Sequence, residues 1–186
     1  MVKDKNKCLG ASDGTNRLGL YAPTYEIKYT TSDITDLLSD NGRLQDRVIH
    51  LTEAASSDFI DGFICKGSAT FKKEDSTLQN LLTGVVPAKD MINAIENLYV
   101  VYHLDKQNMI PVLAEIKSYQ SLNPIGFDEE CIIIGKCEKI GKRKYHGEAD
   151  VYCKTTKGIT LAAKMIADYF LVKDSDILFE IRDRKA

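Results

Sequence analysis

The 186-residue sequence predicts an α+β fold in which one long central helix is wrapped by a curved antiparallel sheet of about six strands. Three observations carry that expectation. Residues Ala88 to His103 make a coherent helical wheel. Four apolar or alternating runs of strand length follow it: Met109 to Ser121, Glu129 to Ile140, Lys144 to Lys154 and Ile159 to Val172. A helix with one apolar stripe and a sheet with one apolar face must bury them against each other.

Taken in order, residues 1–45 read as an N-terminal arm, polar and partly flexible at first, and residues 46–186 as a single domain. Tyr25, Ile27 and Tyr29 alternate and suggest a short strand from Thr24 to Thr30. Ser32 or Asp33 can then cap a short helix carrying Ile34, Leu37 and Leu38, which Asp40-Asn41-Gly42 stops. Two strand-like runs follow, Arg47 to Thr52 and Phe59 to Phe71. A polar loop, Lys72 to Thr83, leads to Pro87, which suits the first turn of a helix because its missing N–H is harmless there.

At 100° per residue, Met91, Ile95, Leu98, Tyr99 and Tyr102 share the apolar face. Lys89, Asp90, Asn93, Glu96, Asn97 and His103 fall on the other side. Farther on, Thr155-Thr156-Lys157-Gly158 reads as a hairpin turn. The run Ile159 to Val172 also fits a helical stripe through Ala162, Ala163, Ile166 and Tyr169; the preceding turn and the matching strand before it favour strand. Residues Ile177 to Ile181 can add an edge strand.

Composition narrows the function classes. With 25 basic and 27 acidic residues the net charge is −2, so no overall positive field exists to hold nucleic acid. No apolar run is long enough to span a membrane. The charged start Met1-Val2-Lys3-Asp4-Lys5 has no apolar stretch behind it, so no secretory signal is expected and the chain reads as cytoplasmic. The five cysteines form no Cys-x-x-Cys pair and read as reduced thiols; with three scattered histidines they give no metal site. No cofactor is expected: Walker, Gly-x-Gly-x-x-Gly, Gly-x-Ser-x-Gly and His-Glu-x-x-His signatures are all missing from the sequence.

A long helix wrapped by a curved antiparallel sheet is the hotdog arrangement, and two segments resemble hotdog acyl-thioester proteins. The first is Gly84-Val85-Val86-Pro87-Ala88-Lys89-Asp90-Met91-Ile92, followed by Glu96-Asn97-Leu98-Tyr99. The second is Leu122-Asn123-Pro124-x-x-Phe127. Together they are similar to the FcoT-like long-chain acyl-CoA thioesterases and to enzymes that add glycine across an enoyl-carrier-protein double bond, over roughly residues 59–172. The resemblance departs at the helix entrance, where that family has Gly-His-Phe-Asn and this chain has Gly84-Val85-Val86-Pro87. Within the helix the family's Asn-Gln pair is Glu96-Asn97. The positions that hold His and a carboxylate in the hotdog dehydratases hold Gln79 and Asn93, which exchange no proton near neutral pH.

The resemblance implies an enzyme acting on an acyl thioester of CoA or of an acyl carrier protein, with hydrolysis as the default. Such a reaction needs donors for the carbonyl oxygen and a base for the nucleophile. The amides of Gly84, Val85, Val86, Ala88 and Lys89 at the helix start are the candidate donors. Glu96 is the candidate base that the resemblance implies, with Asn93 and Asn97 positioning water; on the sequence alone the solvated helix-face carboxylate is the stronger reading. Asp75, Ser76, Asp90, Met91 and Tyr99 are candidate substrate-binding residues, although an apolar stripe at helical spacing also reads as core. Cys65 is a weaker nucleophile candidate, and His50 reads as a packed, hydrogen-bonded imidazole within a strand. The cluster Lys136, Lys139, Lys142, Arg143 and Lys144 can meet CoA phosphates or an acidic carrier, or simply form a solvated hairpin tip.

Two alternatives stay open: conjugate addition of an amine such as glycine to an enoyl thioester, and a catalytically silent protein that binds acyl-CoA or a carrier protein. A homodimer or higher oligomer paired through strand edges is expected in every case.

Overall fold

The computed structural model describes residues 27–39, 50–75, 84–156 and 158–173. Their elements are β1 (Ile27–Thr30), α1 (Thr31–Ser39), β2 (Leu51–Phe59), β3 (Gly62–Thr70), α2 (Ala88–Gln107), β4 (Met109–Ser121), β5 (Glu130–Lys139), β6 (Lys144–Thr155) and β7 (Gly158–Lys173). The expected single helix and about six strands are corrected. The short strand and short helix expected near residues 24–38 are present as β1 and α1, and with them seven strands form one antiparallel sheet in the order β1-β2-β3-β5-β6-β7-β4. Ser76, Gln79, Arg47 to Ile49, the Lys157 turn position and Ile177 to Ile181 lie outside the described residues.

The extra strand comes from β1, which pairs with β2 from Ile27↔Ser56 to Thr30↔Glu53. It leads straight into α1 through a reciprocal cap: the Thr30 N–H donates to Asp33 Oδ2 at 2.8 Å, and the Asp33 N–H donates to Thr30 Oγ1 at 3.4 Å. Thr30 is therefore the cap, not Ser32 or Asp33, and Asp33 is the side chain that reaches back.

The run Ile159 to Val172 is strand, inside β7, and it pairs with β6 on one side and β4 on the other. Its phase shows why. Met165, Ala167, Tyr169 and Leu171 are buried, and Tyr169 meets Tyr99 of α2 edge-on at 5.2 Å. Asp168 points to the opposite face.

Helix α2 opens at Pro87, whose φ of −63° suits the turn, and no side chain caps it. It runs to Gln107, beyond His103, and stops where Asn108 takes a left-handed φ of 49° and donates its N–H to the Leu104 carbonyl at 3.1 Å. The apolar face is as expected: Met91, Ile95, Leu98, Tyr99 and Tyr102 are buried. The polar side is not. Asp90, Asn97 and His103 are 0%, 2% and 1% exposed. Helix α2 packs against the sheet and also touches α1, and for His103 the covering surface is the sheet. His103 sits among the rings of Phe63, Tyr102 and Tyr145, and burial pushes its pKa down to about 4, so it is a neutral packing residue.

Candidate functional site at the entrance of the long helix

The two segments that carry the resemblance meet in space. The loop after β4 is tied to β7 by the Leu122 and Asn123 amides, both donating to the Ala162 carbonyl, and by Asn123 Nδ2 donating to the Leu161 carbonyl at 2.7 Å. Its next residues grip the chain entering α2. Val85 bridges Gly126, and the Val86 N–H donates to the Ile125 carbonyl at 2.8 Å. The Asp128 N–H donates to the Phe71 carbonyl at 2.9 Å, which joins the same loop to the end of β3. The helix entrance is thus held from both sides by backbone bonds.

This fixes which amides remain for a ligand. The Val86 amide is engaged by Ile125, and the Asp90 and Met91 amides donate to the Pro87 carbonyl at 3.1 and 3.3 Å. The Ala88 and Lys89 amides, the first two of the helix, precede those bonds and face out at an uncapped start. Gly84 is exposed, and open space lies where a side chain would project from it.

Among the candidate polar residues, Glu96 and Asn93 are half-buried on the outer strip of α2. Asn97 is buried, and its Nδ2 has no hydrogen-bond partner. Asp90 is fully buried in the first turn. Asp75 ends a short 3₁₀ turn, Lys73–Asp75, and is half-exposed. Met91 is core, its sulfur accepting from the Tyr119 hydroxyl at 3.6 Å. Tyr99 is also deep in the core, its hydroxyl donating to the Glu148 carbonyl at 2.9 Å. Glu96 and Asp90 do not converge: six helical positions separate them, so they project about a third of a turn apart and about 9 Å along the axis.

The residue that sequence reasoning underrated is His50. It is 3% exposed and stacks at a tilt on Phe71, with ring centroids 4.8 Å apart. Neither Nδ1 nor Nε2 has a hydrogen-bond partner, so the expected hydrogen-bonded imidazole is corrected. Burial lowers its pKa below the ordinary imidazole value, opposed by the charges of Asp90 and then Asp75, which both act on it. The sequence signal was an imidazole inside the apolar run Val48-Ile49-His50-Leu51.

Two other candidates separate from the entrance. Cys65 is fully buried, and burial pushes its thiol far above the ordinary range, so no thiolate nucleophile forms there. The basic cluster sits at the β5–β6 hairpin tip, beside the β3 start, since Gly62 pairs with Glu138. The entrance is at the other end of β3, roughly 27 Å away at the rise of a strand. Part of the cluster is neutralised locally: Lys144, His146 and Lys117 all bond the buried Asp168 at 2.8–2.9 Å and hold its carboxyl well below the usual range. At the entrance itself the exposed cations are Lys72, Lys73 and Lys89.

Among the described residues, no group of His, Cys, Asp and Glu could hold a metal ion, and no helix is long and apolar enough to cross a membrane. No family model matches the chain, and no curated protein matches it. Solved structures do. A thioesterase superfamily member from Thermus thermophilus superposes with a TM-score of 0.57 at 10% identity, covering 69% of this chain and 94% of that one. A hot-dog-like protein from Thermanaerovibrio acidaminovorans gives the same TM-score, identity and coverage, 0.57, 10%, 69% and 94%. An acyl-CoA hydrolase variant from Staphylococcus aureus, in complex with coenzyme A, gives 0.51 at 12% identity over 60% of this chain and 66% of that one. The chain has the hotdog fold.

Proposed function

We propose that the protein is an acyl-thioester hydrolase whose substrate carbonyl is polarised at the start of α2. The observation that carries this reading is the uncapped entrance: the Ala88 and Lys89 amides point outward where the flanking backbone is pinned to Ile125 and Gly126. Two free donors at a helix start are suited to the negative charge that grows on a thioester oxygen in the transition state. Gly84 leaves room beside them for the thioester. Lys72, Lys73 and Lys89 offer positive charge to an anionic carrier, CoA or a carrier protein.

In the reading drawn from the resemblance, Glu96 is the base, with Asn93 and Asn97 as water-positioning partners. Glu96→Gln tests it in a thiol-release assay on saturated CoA esters of graded chain length. Loss of about 100-fold or more in kcat with ester binding intact supports a base role. Unchanged kcat leaves Glu96 a surface carboxylate. A wild type that binds esters without releasing thiol favours the silent binder, and a mass gain on enoyl esters with glycine favours conjugate addition.

The active form in this reading is a homodimer joined edge to edge through β4. That strand ends the sheet, is 13 residues long and leaves its outer edge unpaired among the described residues. Val112 and Ile116 on it are 43% and 39% exposed. Such an edge invites a second copy. Sedimentation of the wild type should give twice the chain mass of 20.8 kDa, and Ile116→Lys should halve it. A monomeric wild type ends the dimer proposal.

A further inference from the structure

We propose that His50, with the charge of Asp90 acting on it, takes the proton from the water that attacks a thioester carbonyl seated on the first turn of α2. The inference rests on the thioester reading and assigns it a proton-handling pair that the resemblance does not supply.

Three observations lead to it. The first is the orphaned imidazole: His50 is 97% buried by its 3% exposure, and neither ring nitrogen has a partner. A buried polar group left this way costs about 1–3 kcal/mol, which a purely structural position would avoid with an apolar residue of similar size. The second is placement. His50 sits where β2 begins, its carbonyl accepting from the Thr70 amide at 3.1 Å, against Phe71. Phe71 is joined to the helix-entrance loop by the Asp128 amide. The third is the buried Asp90, in the same first turn as the free amides and electrostatically felt by His50.

Distance along the helix favours this pair over Glu96. Ala88 to Glu96 is about 12 Å of helix rise, whereas Ala88 to Asp90 is about 3 Å. A base must come within hydrogen-bond reach of the nucleophile, directly or through one water. A carbonyl held by the Ala88 and Lys89 amides therefore lies within one turn of Asp90, whose charge His50 feels, and two turns from Glu96.

The step balances without a co-reactant. A neutral His50 nitrogen accepts a proton from water as the water oxygen bonds to the carbonyl carbon. The oxyanion rests on the Ala88 and Lys89 amides. When the C–S bond breaks, the proton passes from His50 to sulfur, giving carboxylic acid, thiol and neutral imidazole. The charged groups that act on His50 are Asp90 from α2 and Asp75 from the 3₁₀ turn, while Phe71 of the β3 end supplies an apolar wall.

The test compares wild type, His50→Leu, His50→Gln, Asp90→Asn and Glu96→Gln in the same thiol-release assay across pH, with melting curves. His50→Leu is expected to lower kcat about 100-fold or more and to leave KM nearly unchanged. Its melting temperature should hold or rise, because the orphaned nitrogens are gone. His50→Gln should show the same loss of kcat. Asp90→Asn should lower kcat less and move the acid limb of kcat/KM to lower pH, since a carboxylate that raises the His50 pKa is removed. A folded His50→Leu or His50→Gln enzyme with wild-type kcat overturns the proposal and leaves the thioester reading standing. A wild type that releases no thiol from any ester removes both.

Discussion

Tyr99→Ala is expected to cost about 3–5 kcal/mol, the range for emptying a fully buried aromatic site. Tyr99 is 1% exposed at the centre of the sheet's concave face. Its ring meets Phe63 at 6.1 Å and Tyr169 at 5.2 Å, both edge-on. Its hydroxyl donates to the Glu148 carbonyl at 2.9 Å, which pins helix α2 to β6. The ring spans positions 135 and 147, both glycine, so no neighbouring side chain stands ready to fill the space. Tyr99→Phe keeps the ring and should cost only about 0.5–1.5 kcal/mol. Urea unfolding of both variants checks this. The pair also decides whether Tyr99 touches substrate: a core tyrosine gives a Phe variant with shifted unfolding midpoint and wild-type KM, and a substrate-lining one gives the reverse.

What could be read from the sequence, and what could not, follows from phase. Strands β4 to β7 and the start of α2 were legible because each holds an apolar or alternating stretch within 10 to 20 residues, long enough to be read through the register shifts in β4 and between β6 and β7. Strand β2 was largely lost. Its burial runs Leu51, Ala54, Ser56, because a bulge between Leu51 and Glu53 shifts the phase by one residue, and alanine and serine carry weak strand signal. Residues Asp90, Asn97 and His103 read as a solvated face because a helical wheel ranks side chains by polarity, whereas His103 is enclosed by the rings of Phe63 and Tyr145 from the sheet. The entrance of α2 was legible as Gly84 to Ile92. Which of its amides stay free was not, because that depends on the Val86–Ile125 bond across 39 positions of chain. His50 and Asp90 lie 40 positions apart. Only the fold lets the charge of Asp90 act on His50, so no spacing rule could have paired them.

Gly135→Ala, which adds one methyl group, is expected to cost about 1–3 kcal/mol by overpacking. An added Cβ at 135 would stand 2.7 Å from Tyr99 Cε1, 2.8 Å from Cys65 Sγ and 3.0 Å from the Tyr99 hydroxyl oxygen. None of these atoms can move away easily. The Tyr99 ring is held by its bond to the Glu148 carbonyl, and Cys65 lies in β3, paired with Gly135 itself. At Gly147 the added atom would meet Tyr169 at 2.9 Å and Tyr99 at 3.2 Å, so Gly147→Ala should cost less. The two glycines are thus the floor on which the Tyr99 ring lies, and the cost of Gly135→Ala belongs to that contact. Tyr99→Leu removes the ring atoms that the new methyl would strike. The double variant should therefore be more stable than the sum of the two single losses by about 1 kcal/mol or more, the coupling usual for residues in direct contact. Additive losses in denaturant unfolding would mean that Gly135 is required by the backbone of β5 and not by Tyr99. The long helix would then be seated on the sheet by its other apolar contacts.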